Sequence, residues 1–356
     1  MVGLVPARLR HVGLSAPSTT GPRISATGSS TATDEFRRTS SSDLTSAREP
    51  EQHKRSRTAR TRSGASTMTE KKSHTLDVPG AVLTYDVREA AAPSDEPTLL
   101  MIGLPMGAEG FTTLASHFTD RKVVTYDPRG VERSTRTGTQ PPGVADHADD
   151  VHRVIEAVGG GPVDLVASSG GAVVALELAA THPGDLRTVV AHEPPLPAVL
   201  PDREAMVAAM TDIHDTYQAK GLGAGMAKFI ALVMARGEIT AEYVDQPDPD
   251  PAAFGLPTED DGTRDDLMLG VNMLVLQAYE PDWETLKATT PQVLIAVGED
   301  TNDEMTGRSA RAAAALLDAE AVVFPGGHGG FSGGEYGQPA DKPDEFAARL
   351  REVLTR

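Results

Sequence analysis

Short apolar runs and helix-spaced patterns alternate along most of this chain. Two stretches of alternating apolar and polar residues within 74–87 flank Pro79-Gly80 and predict a β-hairpin. Residues 98–104 (TLLMIGL) are apolar without a break, as expected of a strand covered on both faces. A short helix is predicted over 111–118, then another buried strand over 122–126 (KVVTY). Within 146–158, Val151, Val154, Ile155 and Val158 fall at helical spacing. A third apolar run, 163–167 (VDLVA), leads through Ser168-Ser169-Gly170-Gly171 into a helical run that ends near residue 180, and 186–191 (LRTVVA) reads as the next strand. Strands alternating with helices in this way predict a parallel sheet with helices on both faces.

The alternation stops at Glu193-Pro194-Pro195. Residues 196–290 hold no clear buried strand. Helical patterns cover 203–219, 224–235 and 265–279, and the Pro- and Asp-dense stretch 245–262 reads as an irregular loop. Alternation resumes with a strand at 293–297, a helix at 306–317, a strand at 321–324 and an amphipathic helix at 341–354. The expected organisation is therefore a core in two pieces, 68–195 and 291–356, with residues 196–290 inserted as a helical cap.

Residues 1–67 differ from the rest. They carry 11 Lys and Arg against 5 Asp and Glu, in a chain whose net charge is −18. They are rich in Ser, Thr, Arg and Gly and almost free of aromatics, a composition expected to remain disordered. Arg37-Arg38 is not followed by an apolar stretch of the kind a secretory signal needs. Translation starting near Met68 is the simplest account of this segment; a basic targeting segment is the alternative. The acidic balance argues against a nucleic-acid binder, and no apolar run approaches the roughly 20 residues of a membrane helix. With no cysteine, disulfides, thiolate metal sites and cysteine nucleophiles are excluded. A cytoplasmic protein without membrane or nucleic-acid partners is expected; its oligomeric state is not legible.

The chemistry is concentrated in three loops. Ala167-Ser168-Ser169-Gly170-Gly171 joins a buried strand to a helix, and small residues two before and two after Ser169 permit the sharp turn that exposes a nucleophile. A serine hydroxyl needs a base, and that base needs an orienting acid. His328 offers the base: it stands in Pro325-Gly326-Gly327-His328-Gly329-Gly330, just after the last strand. His117, His152, His182 and His214 fall in helical patterns and read as surface or packing residues. An oxyanion would need backbone N–H donors. Gly170, directly after the nucleophile, is one; Leu104, in the loop after the first parallel strand, is the other, because Pro105 has no N–H.

From about Thr75 to its end the chain resembles the α/β-hydrolase superfamily. The matching pieces are IGLPMG (102–107), YDPRGVERS (126–134), VASSGGAVVALELA (166–179), VGED (297–300) and PGGHGGF (325–331), in the family's order and at its usual spacings. The resemblance implies the α/β-hydrolase fold with an inserted helical cap, Ser169 as nucleophile, His328 as base, Leu104 and Gly170 as oxyanion donors, and no cofactor or metal. Asp127-Pro128-Arg129-Gly130 matches a family hallmark expected to tie loops together. Ile102 and Ser168 stand where the family often has histidine, at positions without a chemical role. The acid is the one real departure. The family's usual position, three residues past Gly298, is Thr301 here. Asp300 lies one residue early and is the first choice; Glu193, at the end of the preceding strand, is the rival; Asp303 is a third option.

The implied activity is cleavage of a small ester, thioester, lactone or amide through a Ser-His-acid triad and an acyl-enzyme. The alternative is the same fold serving as a cofactor-free perhydrolase, a lyase or a non-catalytic ligand binder. The cap is expected to roof the pocket. Met206, Met210, Phe229, Met234, Met268 and Met273 would make it apolar, which favours a substrate with an apolar group, although such residues are more often helix core.

Overall fold

The structure, a computed structural model, describes residues 70–138 and 140–355. The reading of residues 1–67 lies outside them. The chain opens with the expected hairpin, β1 (Lys72–Val78) and β2 (Ala81–Arg88), turning at Pro79-Gly80 with Gly80 at φ 76°. There follow β3 (Leu99–Leu104), α1 (Thr112–Ser116), β4 (Val123–Asp127), a two-residue strand β5 (Thr135–Arg136), α2 (Val144–Ala157), β6 (Val163–Ser169), α3 (Gly170–Thr181) and β7 (Leu186–His192). The inserted region contributes α4 (Arg203–Lys220), α5 (Leu222–Met234), α6 (Met273–Ala278) and α7 (Trp283–Ala288). The chain then returns through β8 (Gln292–Gly298), α8 (Met305–Leu316), β9 (Val322–Phe324) and α9 (Pro343–Leu354). Two short elements, β5 and α7, escape the periodicity reading because neither spans enough residues to show a period. The pattern at 265–279 reads as one helix; in the structure it is a π-turn over Met268–Asn272 that runs into α6.

The sheet order is β1-β2-β4-β3-β6-β7-β8-β9, with β5 paired to β2. Strands β4, β3, β6, β7, β8 and β9 are mutually parallel; β1, β2 and β5 are joined antiparallel. Residues alternate between the two faces. Leu100, Ile102 and Leu104 of β3 and Leu165 and Ala167 of β6 face one core, with α2, α3 and α8. Leu99, Met101, Val166 and Val190 face the other, with α1 and α9. Both sides are covered, which explains why these strands read as continuous apolar runs.

From β3 the chain steps to β4 on one side, then crosses to β6 on the other. The connections diverge between β3 and β6, and in open parallel sheets such a point, at the carboxyl ends of the strands, is where ligands bind. Leu104 ends β3 and Ser169 ends β6, so both stand beside this crevice. The inserted helices have a separate core that includes Met206, Met210, Tyr217, Met226 and Phe229. No helix among the described residues is long and apolar enough to cross a membrane.

Candidate active site

Ser169 is the last residue of the central strand β6 and has φ 57° and ψ −129°, a conformation non-glycine residues rarely adopt. The backbone reverses there, and α3 starts at the next residue. Small residues are required because the turn presses against β3. A Cβ on Gly171 would stand 2.7 Å from the Ile102 carbonyl oxygen and 2.8 Å from Gly103 Cα. Leu104 is the register partner of Ser169, and a Cβ on Gly170 would stand 2.6 Å from the Leu104 carbonyl oxygen. The backbones of Leu104 and Gly170 are therefore neighbours at the mouth of the turn. As the first residue of α3, Gly170 has an N–H without an intrahelical acceptor, at the electropositive end of the helix.

The structure brings His328 to Glu193. His328 Nδ1 and Glu193 Oε2 are 2.6 Å apart, and Glu193 is fully buried at the end of β7. Burial pushes the Glu193 carboxyl up. The hydrogen bonds from His328 and the Thr301 hydroxyl act against it, and the group is held down at about 2. An ionised carboxylate can only accept, so His328 Nδ1 carries the proton and Nε2 is left as the lone-pair nitrogen. The carboxylate is further fixed by the Gly298 N–H at 2.8 Å, the Thr306 hydroxyl at 3.0 Å and the Thr301 hydroxyl. Glu193 itself has φ 50°, so two of the residues that converge here are held in the left-handed region.

Asp300, the first choice from the sequence, is not brought to His328. Its side chain is 58% exposed and accepts from Lys342 Nζ at 2.8 Å. Asp303 is also exposed. The reason lies in the path of the histidine loop. To reach back toward β6, residues 325–328 cross over the end of β8 at Gly298, where a Cβ would stand 2.6 Å from the Gly326 carbonyl oxygen and 2.8 Å from that of Gly327. The Asp300 backbone N–H supports this crossing by donating to the Gly326 carbonyl at 3.0 Å, but its carboxylate faces away. Thr301 turns inward instead and donates to Glu193. The two nearby arginines are engaged elsewhere: Arg129 forms a bidentate pair with Asp150, and Arg133 binds Asp86 and Asp127.

Ser169 and His328 line one cleft with Leu104, Met106, Gly110, Ser168, Gly329, Phe331, Ser332, Glu335 and Tyr336. It lies between the loop after β3 and the loop after β9. Among the described residues, none from 196–290 lines it, contrary to the expectation of a methionine-rich roof. Met206, Met210, Phe229 and Met273 are buried in the helices' own core, Met268 packs against it, and Met234 is 54% exposed. The inserted region does touch the turn: Leu276 Cδ1 would meet a Cβ on Gly170 at 3.0 Å. The Asp127 loop does tie segments together, its carboxylate accepting from the Ala108 N–H at 2.8 Å and Arg133 Nε at 2.6 Å.

Sequence reasoning passed over His192. It is fully buried beside Glu193, its ring 6.3 Å from that of His328 and edge-on to Phe324, Phe331 and Phe346. Neither ring nitrogen has a hydrogen-bond partner among the described residues. Burial, reinforced by His328 and opposed by Glu193, pushes its imidazole down to about 4, so it is neutral at physiological pH. Strand alternation alone marks its position as inward-facing.

A family model for the α/β-hydrolase fold matches residues 97–236. The uncharacterized hydrolase YraK of Bacillus subtilis (strain 168) is 28% identical over 292 residues, covering 79% of this chain and 96% of that protein. Among solved structures, the enol-lactonase of Burkholderia xenovorans LB400 superposes with a TM-score of 0.55 at 16% identity, over 80% of this chain and all of its own. A thermophilic esterase of Thermogutta terrifontis superposes with a TM-score of 0.54 at 19% identity, over 81% of this chain and 98% of its own. The protein has the α/β-hydrolase fold.

Proposed function

We propose that this protein is a serine hydrolase that cleaves a small-molecule ester, thioester, lactone or amide through an acyl-enzyme. Ser169 is the nucleophile, His328 the general base and acid, Glu193 the orienting carboxylate, and the Leu104 and Gly170 N–H groups the oxyanion donors. The observation that carries this reading is the buried contact between Glu193 and His328 Nδ1, which leaves Nε2 as a base in the cleft that Ser169 also lines.

The steps follow from these groups. His328 Nε2 removes the Ser169 proton as Oγ attacks the acyl carbon. Negative charge moves to the carbonyl oxygen, between the backbones of Leu104 and Gly170. His328 returns the proton to the leaving group, and water then repeats the sequence to release the acid. Glu193 holds the imidazole tautomer and stabilises the imidazolium that forms. No step needs a metal or cofactor. The lactonase and esterase activities named for the structural neighbours support acyl transfer to water as the reaction class, and the apolar side chains in the cleft support a substrate with an apolar group. The proposal places the enzyme in the cytoplasm.

A fluorophosphonate probe tests the reading. Stoichiometric labelling at Ser169, abolished in Ser169→Ala together with turnover of p-nitrophenyl esters, is expected. A folded wild-type protein that neither labels nor turns over any ester would mark the site as a ligand-binding one and refute the proposal.

A further inference from the structure

We propose that Met106 sets the acyl-chain length this site accepts, restricting it to short acyl groups; the inference rests on the serine-hydrolase reading above. The cleft beside Ser169 is small. Its volume is about 30 Å³, and it is partly open to solvent. The acyl group stays bonded to Ser169 until water arrives, whereas the leaving group must depart past His328 to solvent. The inner part of the cleft, beside Ser169, therefore belongs to the acyl group.

Met106 lines that part. Its side chain lies over two glycines of the loop after β3. A Cβ on Gly103 would stand 2.9 Å from the Met106 methyl carbon, and a Cβ on Gly110 would collide with its sulfur. Gly103 directly precedes the oxyanion residue Leu104, so the thioether is seated beside the reacting carbonyl. Phe331, which also lines the cleft, stacks on Phe111 with ring centroids 5.3 Å apart and planes 18° from parallel, and Met106 packs against this same cluster. The cleft is thus lined by a ring held in an aromatic stack and by an unbranched side chain whose seat exists because residues 103 and 110 have no side chain. The inserted helices do not line the cleft, so the loop after β3 takes the role that the cap was expected to fill.

The test is a series of p-nitrophenyl esters from acetate to octanoate, read as the ratio of kcat/KM for the eight-carbon to the two-carbon acyl group. In the full-length wild-type enzyme the ratio is expected to be about 0.1 or less, since each methylene that cannot be seated discriminates by roughly tenfold or more. Met106→Ala should raise the ratio by about tenfold or more, while Met106→Leu, of similar volume, should keep it near the wild-type value. Should Met106→Ala fail to fold, Met106→Val reads the same ratio with a smaller rise. Ser169 labelling by the fluorophosphonate separates the two levels. If Ser169 labels but Met106→Ala leaves the ratio where it was, or the wild type prefers octanoate, the proposed gate is wrong and the hydrolase reading stands. If Ser169 does not label and no ester turns over, the reading beneath it fails and takes the gate with it.

Discussion

At the scale of single residues, the instructive position is Thr301. Spacing from Gly298 places it where the resemblance implied an acid, and it cannot serve as one. Its hydroxyl instead donates to Glu193, one strand nearer the nucleophile. The carboxylate choice follows from burial and reach, and mutation separates the candidates. Glu193→Gln should lower kcat by about 10³–10⁴, because the amide no longer holds the imidazole in the working tautomer. Asp300→Asn should leave kcat within about twofold, because only an exposed pair with Lys342 is lost. The opposite ranking in steady-state assays on a p-nitrophenyl ester would return the role to Asp300. Thr301→Val should have an intermediate effect, lowering kcat by about tenfold with KM nearly unchanged. Glu193 keeps its bonds from Gly298 and Thr306, but loses one donor and the position that donor enforces.

At the scale of elements, close backbone approach decides the geometry. The elbow works because α3 starts against β3 with no side chain between them. Gly171→Ala places a methyl 2.7 Å from the Ile102 carbonyl oxygen inside a packed core. We expect a loss of about 1–3 kcal/mol, measured by urea denaturation, together with a fall in kcat as the helix is pushed away from Leu104. An unchanged denaturation midpoint would mean the two elements have room to separate. Gly298 plays the same part for the histidine loop, which could not cross β8 over a side chain. The motifs at both turns are visible in sequence because they are small-residue clusters between apolar runs. What lies under each turn is not visible, since the contacting backbone comes from residues some 30 to 70 positions away.

For the whole molecule, two buried histidines link stability to pH. His192 and His147 are both pushed down to about 4, mainly by burial, from an ordinary 6.5. Between pH 6.5 and about 4 the unfolded chain binds protons that the native state refuses, so stability falls as the pH drops through this window. Glu193 acts later: its depressed carboxyl adds stability above about 4.5, and that contribution is lost as the pH falls toward about 2. The two histidines should make thermal denaturation acid-sensitive from about pH 6.5 downward. Among the described residues His192 has no hydrogen-bond partner, and its ring lies edge-on to three phenylalanines. His192→Phe should therefore keep the fold and flatten the loss over that window by up to about 3 kcal/mol. A pH–stability curve for His192→Phe that overlays the wild type would show that His192 does not remain neutral as argued.

The sequence by itself determined the order of strands and helices, the parallel core, the helical insertion and the identity of Ser169 and His328 as the pair to examine. These are local properties: hydrophobic period, small residues at turns, and a histidine set among glycines each speak within a window of some ten residues. Tertiary structure alone decided which carboxylate meets the histidine, because Glu193 is 135 positions away from it along the chain. It alone placed most of the inserted methionines in a core of their own and put Met106 and Phe331 in the lining of the cleft. Those outcomes depend on which strand ends lie side by side and which loops cross them, and sheet order is a pairing of distant segments that no local pattern encodes.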